Sequence, residues 1–282
     1  MSSAFDAHTP DIPRLYQYKL DRVLGRGGTG VVYRGIDTQK GEVVAVKLFR
    51  NNFFRNKLHI RDLAKSVKRF KKFKHQNVVH IFDFLTGEEG NCMIMEYVDG
   101  PDLKWYLTNR PWSLQERLTI VAQICNGLQY LHDGGIIHHD FKPSNVLFTR
   151  RGVVKIADFS LYGSSFFMEM LMGGVAEQIT PMFVAPEFIR KEKPTPACDQ
   201  YSLGITMYMM FAERLPFQVD SLPKLYQCHL RVIPEHPSTV NAKCPRALGD
   251  VIMRLIKKDP KERFRDCDEV RIMIADLGRS RL

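Results

Sequence analysis

Apolar and polar residues alternate through much of the first hundred positions, with the two-residue period that is typical of β-strands. A cluster of glycines separates the first two alternating stretches, and Gly41 precedes the third. Glycines in such places are typical of turns between strands. The predicted strands cover 18–24, 31–36, 42–49, 78–85 and 92–98.

A helical period interrupts this pattern once and then replaces it. In 59–74 the apolar residues recur every three or four positions, at Ile60, Leu63, Val67, Phe70 and Phe73, and the opposite face is basic. After Gly100 and Pro101 the predicted helices cover 102–109, 113–132, 199–212, 246–257 and 266–277. We therefore predict an α+β protein of two lobes around a cleft: a polar tail over 1–13, a β-rich N-lobe over 14–98 and a helical C-lobe over 99–282.

The charge of the chain is concentrated in one segment. The net charge is +10, but residues 50–74 hold ten of the 41 basic residues and only one of the 31 acidic ones, and so carry +9 of it. This distribution argues against a generally basic, nucleic-acid-binding protein. The segment is either a solvated face or a surface for an acidic protein, an anionic membrane or nucleic acid.

Other counts restrict the class and the compartment. The chain contains no apolar run of the roughly 20 residues that cross a bilayer, and its first residues do not resemble a secretory signal. The six cysteines are scattered without a Cys-x-x-Cys pair, which argues against a zinc site or a disulfide framework. We therefore expect a cytoplasmic protein without a transmembrane segment.

The glycine cluster has the spacing Gly25-x-Gly27-x-x-Gly30. In a dinucleotide-binding fold a helix would follow such glycines, but Val31, Val32 and Tyr33 predict a strand. The loop therefore joins two strands, where glycines allow the backbone to close over a phosphate chain. A tight turn without any ligand fits this stretch equally well.

Six short motifs follow one another along the chain. The first is Ala45-Val46-Lys47. The others are His138-His139-Asp140-Phe141-Lys142-Pro143-Ser144-Asn145, Asp158-Phe159-Ser160, Ala185-Pro186-Glu187, Asp199-Gln200-Tyr201-Ser202-Leu203-Gly204 and Asp259-Pro260-Lys261-Glu262-Arg263. In this order and spacing they resemble the motifs of the eukaryotic-like (Hanks-type) Ser/Thr protein kinase family, and the resemblance covers about residues 18–277.

The resemblance implies ATP and Mg²⁺, or Mn²⁺ in its place, as cofactors, and a protein as substrate. It implies that Asp140 orients the substrate hydroxyl, that Lys142 neutralises the γ-phosphate and that Lys47 holds the α- and β-phosphates. Asn145 and Asp158 would bind the metal, and Thr180 would lie beside Asp140. The implied nucleotide-binding residues are Gly25, Gly27, Gly30, Val32, Ala45, Lys47, Glu96, Val98, Asp102 and Leu147.

Further positions would be structural. The resemblance implies a buried ion pair between Glu187 and Arg263, and a packed rather than catalytic His138. Together with Phe70, Ile81 and Phe159, that histidine would belong to a hydrophobic spine. Residues 158–187 are rich in Met and Phe, and either fold back onto the protein or offer a surface to a partner.

Three substitutions depart from the family pattern. Ser66 stands where the regulatory helix should carry a Glu that pairs with Lys47, and Asp62, one turn earlier, is a candidate replacement. His139 replaces the Arg that usually binds a phosphorylated activation loop. Ser160 replaces a glycine; it either restricts the movement of this motif or is harmless if φ stays negative.

These departures leave alternatives to an active protein kinase. A pseudokinase that binds nucleotide or acts allosterically would show no phosphate transfer dependent on Asp140. A small-molecule phosphotransferase is disfavoured by the Ala185-Pro186-Glu187 motif, which belongs to a platform for extended peptides. A nucleic-acid-binding role depends on the basic segment alone and would show a steep salt dependence.

Overall fold

The computed structural model describes residues 14–50, 53–54, 57–161 and 180–279. These residues form two compact units, which divide the described part of the chain into 14–73 with 80–97 and 74–79 with 98–279. The first is built on a β-sheet with one long helix and the second is mainly helical, as the α+β prediction requires. Among the described residues, no helix has both the length and the apolar character needed to cross a bilayer.

The sheet of the first unit has six strands in the order β1-β2-β3-β4-β6-β5, and neighbouring strands are antiparallel. The strands are β1 (Arg14–Leu15), β2 (Tyr18–Arg26), β3 (Gly30–Asp37), β4 (Val43–Phe49), β5 (Ile81–Leu85) and β6 (Cys92–Glu96). The β2–β3 hairpin carries the glycine cluster, so the predicted strand–glycine–strand order is confirmed.

The two faces of this sheet have different contents because side chains alternate along each strand. One face buries a cluster of Leu15, Tyr18, Leu20, Val44, Val46, Cys92 and Ile94. The other face receives the alternate residues of β4, namely Ala45, Lys47 and Phe49. The alternation seen in the sequence therefore separates a purely packing face from the face that carries the lysine.

Helix α1 (Lys57–Phe70) packs against β5 and buries Leu63, Val67 and Phe70. The predicted stripe is confirmed at these three positions, but the helix does not continue to residue 74. Phe73 lies beyond its end, is 40% exposed, and its carbonyl contacts the His80 ring at 3.0 Å. The basic residues lie on the exposed side.

The predicted strand 78–85 is wrong at its beginning. Only residues from Ile81 onward join the sheet. Val78 instead bridges Ile156 of the second unit, and the Val79 N–H donates to the carbonyl of Ile156 (2.8 Å). Asn77 strengthens this attachment by donating to the carbonyl of Val154 (3.0 Å). An apolar run cannot reveal that its first residues pair with a different strand.

The second unit combines a two-stranded sheet, β7 (Val146–Phe148) and β8 (Val154–Ile156), with helices packed around α5. The helices are α2 (Leu103–Asn109), α3 (Leu114–Asp133), α4 (Pro186–Ile189), α5 (Pro196–Ala212), α6 (Leu222–Arg231), α7 (Pro237–Val240), α8 (Arg246–Leu255) and α9 (Cys267–Arg279). The five predicted helices are present. The sequence analysis did not predict α6, whose one buried residue is His229 and whose apolar residues Leu222, Leu225 and Leu230 stay half-buried or exposed.

Candidate active site

The glycine loop shows two different uses of glycine. A Cβ at Gly30 would lie 2.1 Å from the carbonyl oxygen of Leu48, so the approach of β4 requires glycine there. A Cβ at Gly25 or Gly27 would meet no atom within 4 Å. The hairpin therefore leaves open space beside these two residues, and a phosphate chain can approach their backbone closely.

Lys47 lies in the middle of β4, opposite Val32 of β3 and Met93 of β6. Its Nζ is 5.6 Å from the centre of the Phe49 ring. Ala45 precedes it by two residues, lies on the same face and is 6% exposed. The sheet thus places three of the predicted nucleotide-binding residues, Val32, Ala45 and Lys47, on adjacent strands.

The structure contradicts the expectation that Asp62 replaces the missing helix Glu. The Asp62 side chain is 63% exposed and pairs with Lys65 (3.7 Å) on the outer surface of α1. Ser66 is half-buried and shares the helix face of Leu63 and Phe70, as predicted. The inward position is therefore occupied by a neutral hydroxyl, and the nearby carboxylate points to solvent.

In the second unit, Lys142 joins the residues predicted to act on the substrate hydroxyl. Its Nζ lies 2.5 Å from Asp140 Oδ2 and 2.6 Å from Thr180 Oγ1. Asn145 Nδ2 donates to the backbone carbonyl of Asp140 (2.8 Å), which fixes the loop that carries the carboxylate. Three residues predicted from sequence, and the expected threonine, are therefore in direct contact.

The segment around Asp158 is hydrogen-bonded to the same loop. The Ala157 N–H donates to the Asn145 carbonyl (2.9 Å), and the Ser160 N–H donates to the His138 carbonyl (3.3 Å). Asp158 itself is exposed and has a left-handed backbone with φ of 59°. Ser160 is outside the left-handed region, so the loss of glycine there imposes no backbone strain.

The oxygen donors in this region fit a hard divalent cation. The amide nitrogen of Asn145 is held by the Asp140 carbonyl, which leaves the side-chain oxygen of Asn145 as the atom able to bind a metal. Asp158 supplies an exposed carboxylate one residue from the hydrogen bond between Ala157 and Asn145. Mg²⁺ prefers oxygen ligands, so this donor set suits it.

A family model described as the protein kinase domain matches residues 18–271. The chain belongs to the protein kinase family. The kinase domain of PknI from Mycobacterium tuberculosis has the same fold, with a TM-score of 0.74 at 22% identity over 94% of this chain and 98% of that one.

Bacterial relatives extend the comparison. "Probable serine/threonine-protein kinase PknB" of Lactococcus lactis is 31% identical over 271 residues, covering 94% of this chain and 42% of that protein. "Serine/threonine-protein kinase PrkC" of Bacillus subtilis is 28% identical over 255 residues, covering 90% of this chain and 39% of that protein. The chain therefore spans about two fifths of the length of these curated relatives.

Asp199 holds the loop of residues 138–145 in this kinase domain through hydrogen bonds to its backbone. Its buried carboxylate accepts the N–H groups of His138 (2.8 Å) and His139 (3.0 Å), and contacts His132 Nε2 (2.8 Å). Burial alone would raise the pKa of Asp199, but the His132 contact lowers it below its usual value. The loop can therefore keep His139 in a left-handed conformation, with φ of 69°.

The two loop histidines are structural groups. His138 is 1% exposed, and its Nε2 contacts the carbonyl of Ala157 (3.0 Å), as expected for a packed residue. Burial lowers the pKa of His139 to about 4, so its ring is neutral near pH 7. A neutral ring cannot substitute for the usual arginine in binding a phosphate.

The remaining nucleotide-binding candidates are found at strand ends and at a helix cap. Glu96 closes β6, and its N–H donates to the His80 carbonyl (2.8 Å), so this N–H is not the group that would meet the base. Asp102 caps α2 by accepting the N–H of Trp105 (2.6 Å) and forms an isolated bridge with Leu147. Val98 and Leu147 are half-buried.

Two structural predictions for the kinase domain concern buried groups. Arg263 forms a bidentate pair with Glu187, at 2.6 and 2.8 Å, and the two side chains are 0% and 3% exposed. Phe70, Ile81 and Phe159 are buried, as expected of spine residues. Of the Met/Phe-rich segment 158–187, residues 162–179 lie outside the described residues.

Sequence reasoning missed two features of the site. His132 gave no signal beyond its place near the end of a predicted helix. A pair of phenylalanines, Phe53 and Phe54, stands in a polar stretch just before the basic helix. Two adjacent aromatic residues in polar surroundings indicate burial, and both rings are indeed buried.

Proposed function

We propose that this chain is an ATP-dependent protein Ser/Thr kinase, which transfers the γ-phosphate to Ser or Thr hydroxyls of proteins. The observation that carries the proposal is the contact of Lys142 with both Asp140 and Thr180. This arrangement holds a carboxylate and a cation together where a hydroxyl would be phosphorylated. The relatives named as Ser/Thr kinases support the choice of substrate class.

Each predicted residue has a role in the proposed reaction. Asp140 accepts a hydrogen bond from the substrate hydroxyl and orients it, and Lys142 neutralises the phosphoryl group in transfer. Lys47 binds the α- and β-phosphates. Asn145 and Asp158 would hold Mg²⁺, or Mn²⁺ in its place, through oxygen. The metal supplies charge neutralisation on the phosphates.

The proposal assigns nucleotide contacts to both units. Gly25 and Gly27 lie beside open space, which supports a close approach of the phosphates to their backbone. Val32, Ala45 and Leu147 would contact the base on its two sides, Glu96 and Val98 would meet its edge, and Asp102 would meet the ribose. We retain the proposed lobes 14–98 and 99–282, the kinase domain over 18–277 and a cytoplasmic location.

A transfer assay tests this function. Wild type, Lys47→Met and Asp140→Asn are incubated with labelled ATP, Mg²⁺ and a generic basic protein substrate. Asp99→Asn serves as matched control, because Asp99 is an exposed acid paired with Arg150 outside the catalytic loop. We expect label on Ser and Thr with wild type and the control, and its loss by at least about a hundredfold in Asp140→Asn.

The pseudokinase alternative gives a different result in the same experiment. Wild type would bind ATP but transfer no label with Mg²⁺ or Mn²⁺, and Asp140→Asn would change nothing. That outcome would refute the enzyme proposal. Label that does not depend on Asp140 would indicate a contaminating kinase.

We further propose that the basic surface, defined as the exposed basic residues of 57–74, binds an acidic protein segment. Lys68 and Lys72 are exposed, and of the surface lysines only Lys65 and Lys71 have a described acidic partner, at 3.7 and 2.8 Å. The unbalanced positive charge supports an acidic ligand.

Charge reversal tests the basic surface. We expect Lys68→Glu with Lys72→Glu to abolish binding of a polyglutamate peptide, and reversal of exposed Lys193 and Lys243 in the second unit to leave binding unchanged. Stronger binding to anionic vesicles or to RNA than to the peptide would refute this choice of partner.

A further inference from the structure

Four phenylalanine rings form a cluster in the first unit. Phe49 stacks on Phe53 with ring centres 5.5 Å apart, and Phe54 meets Phe49 edge-on at 5.2 Å. Phe53 and Phe54 contact each other at 4.9 Å. Phe84 of β5 completes the cluster, at 6.0 Å from Phe49 and 6.2 Å from Phe54. These separations and tilts are those of favourable aromatic pairs.

The cluster lies on the face of the sheet that carries Lys47. Lys47, Met93 and Phe84 are cross-strand partners in one row of the sheet, and directly opposed residues point to the same side. Phe49 follows Lys47 by two residues and shares its face. The rings therefore border the lysine that is proposed to hold the phosphates.

The cluster also joins α1 to the strand on which it packs. Phe54 precedes the first residue of α1, Lys57, by only three positions. Its ring contacts Phe84 of β5, and α1 packs against the same strand. Phe53 and Phe54 are 8% and 9% exposed, so the chain enters the helix from an anchored point.

The inward position of this helix carries no charge. Ser66 occupies the place of the family's acid and cannot form an ion pair with Lys47. Asp62 points to solvent. The interactions that remain to hold α1 on the sheet are the apolar residues of its buried face, which pack against β5, and the aromatic cluster, which is buried and lies at the beginning of the helix.

We propose that Phe53 and Phe54 are positioning residues, which hold α1 against the sheet in place of the helix–lysine ion pair. This role rests on the proposed kinase function, because it concerns the catalytic geometry around Lys47. The proposal predicts that a glutamate at position 66 restores the position of α1, and with it the activity, when one of the two rings is removed. A general stabilising role for the rings would not produce that compensation.

The experiment is a rescue cycle. Phe54→Ala and Ser66→Glu are prepared singly and together. Phe82→Ala, with and without Ser66→Glu, is the matched control. Phe82 is a half-buried ring of the same unit, but it is not one of the four phenylalanines and packs against the apolar cluster on the other face of the sheet, which includes Val44 and Ile94. Each variant is assayed for kcat and for KM of ATP, and the amide hydrogen exchange of 57–70 is measured by mass spectrometry.

We expect Phe54→Ala to lower kcat/KM by at least about tenfold, because it removes three ring contacts, and to speed exchange in α1. Ser66→Glu should restore most of the activity and the protection in that background, and should not restore any loss caused by Phe82→Ala. If Phe54→Ala does not fold, Phe54→Leu, which keeps apolar volume without the ring, replaces it.

Two results would overturn the proposal: unchanged exchange of α1 in Phe54→Ala, or equal rescue of both backgrounds by Ser66→Glu. The exchange measurement needs no turnover. An inactive wild type would therefore refute the proposed function, and the effect of Phe54 on α1 would still decide the anchoring role.

Discussion

The buried pair between Glu187 and Arg263 allows a quantitative prediction. Arg263 donates to both carboxylate oxygens of Glu187 and to the carbonyls of Lys257 (2.9 Å) and Ala197 (2.7 Å). Neither side chain is screened by solvent. Removing one partner leaves the other charge buried and unpaired, so we expect Glu187→Gln to cost about 3–5 kcal/mol of unfolding free energy. For a unit of this size, that corresponds to a fall in Tm of about 6–20 °C.

The two tryptophans of the chain make this measurable. Both, Trp105 and Trp112, lie in the second unit with the ion pair. Urea titration followed by tryptophan fluorescence therefore reports on that unit alone. Asp220→Asn is the control, because Asp220 pairs with Lys224 on the surface, where an ion pair contributes at most about 1 kcal/mol.

A double variant separates the charge from the packing. We expect Glu187→Met with Arg263→Met to be more stable than Arg263→Met alone, because the double variant leaves no buried carboxylate without a partner. The reasoning would be refuted if Glu187→Gln cost less than about 1 kcal/mol. It would also be refuted if the double variant were no more stable than Arg263→Met.

Two further predictions follow from the glycine loop and from buried histidines. Gly30→Ala should destabilise the first unit by at least about 1–3 kcal/mol, because its Cβ would meet the Leu48 carbonyl; Gly25→Ala should leave stability unchanged, and hydrogen exchange of the hairpin amides measures both. Burial lowers the pKa of His139 to about 4 and of His229 to about 3. The unfolded chain therefore binds more protons below about pH 6.5, so stability should fall as pH drops from 6.5 to 4, and His229→Gln should reduce that slope in urea titrations.

Most of the fold could be predicted from sequence because the elements that determine it have strong periodicity. The strands alternate over a half-buried sheet, and the long helices of the second unit carry wide apolar faces. The failures occur where packing is not periodic. The pairing of Val78 with Ile156 depends on a partner about eighty residues away, and only one residue of α6, His229, is fully buried.

The residues around Asp140 could be predicted better from the sequence than the residues of α1 near Lys47. The contacts of Asp140, Lys142, Asn145 and Thr180 follow from motif order, since a short loop leaves few ways to arrange them. The outward direction of the Asp62 side chain could not be predicted from its position. Asp62 lies one helical turn before Ser66, near the edge of the apolar stripe, where a side chain can point either inward or outward. Exposure at such an edge is decided by solvation, which favours a pair with Lys65 over burial.

Helix α5 has a consequence for how the chain can be cut and handled. Of its 17 residues, 14 are buried, including polar ones such as Asp199 and Thr206. A helix enclosed on all sides cannot be solvated on any face, so its coverage must be complete before it is stable. Part of that coverage comes from α8, and α9 in turn packs on α3 and α8. A shortened chain that ends before Ile274, the last buried residue of α9, would leave apolar surface open to self-association. Ile274 must therefore be kept when this domain is produced in shortened form.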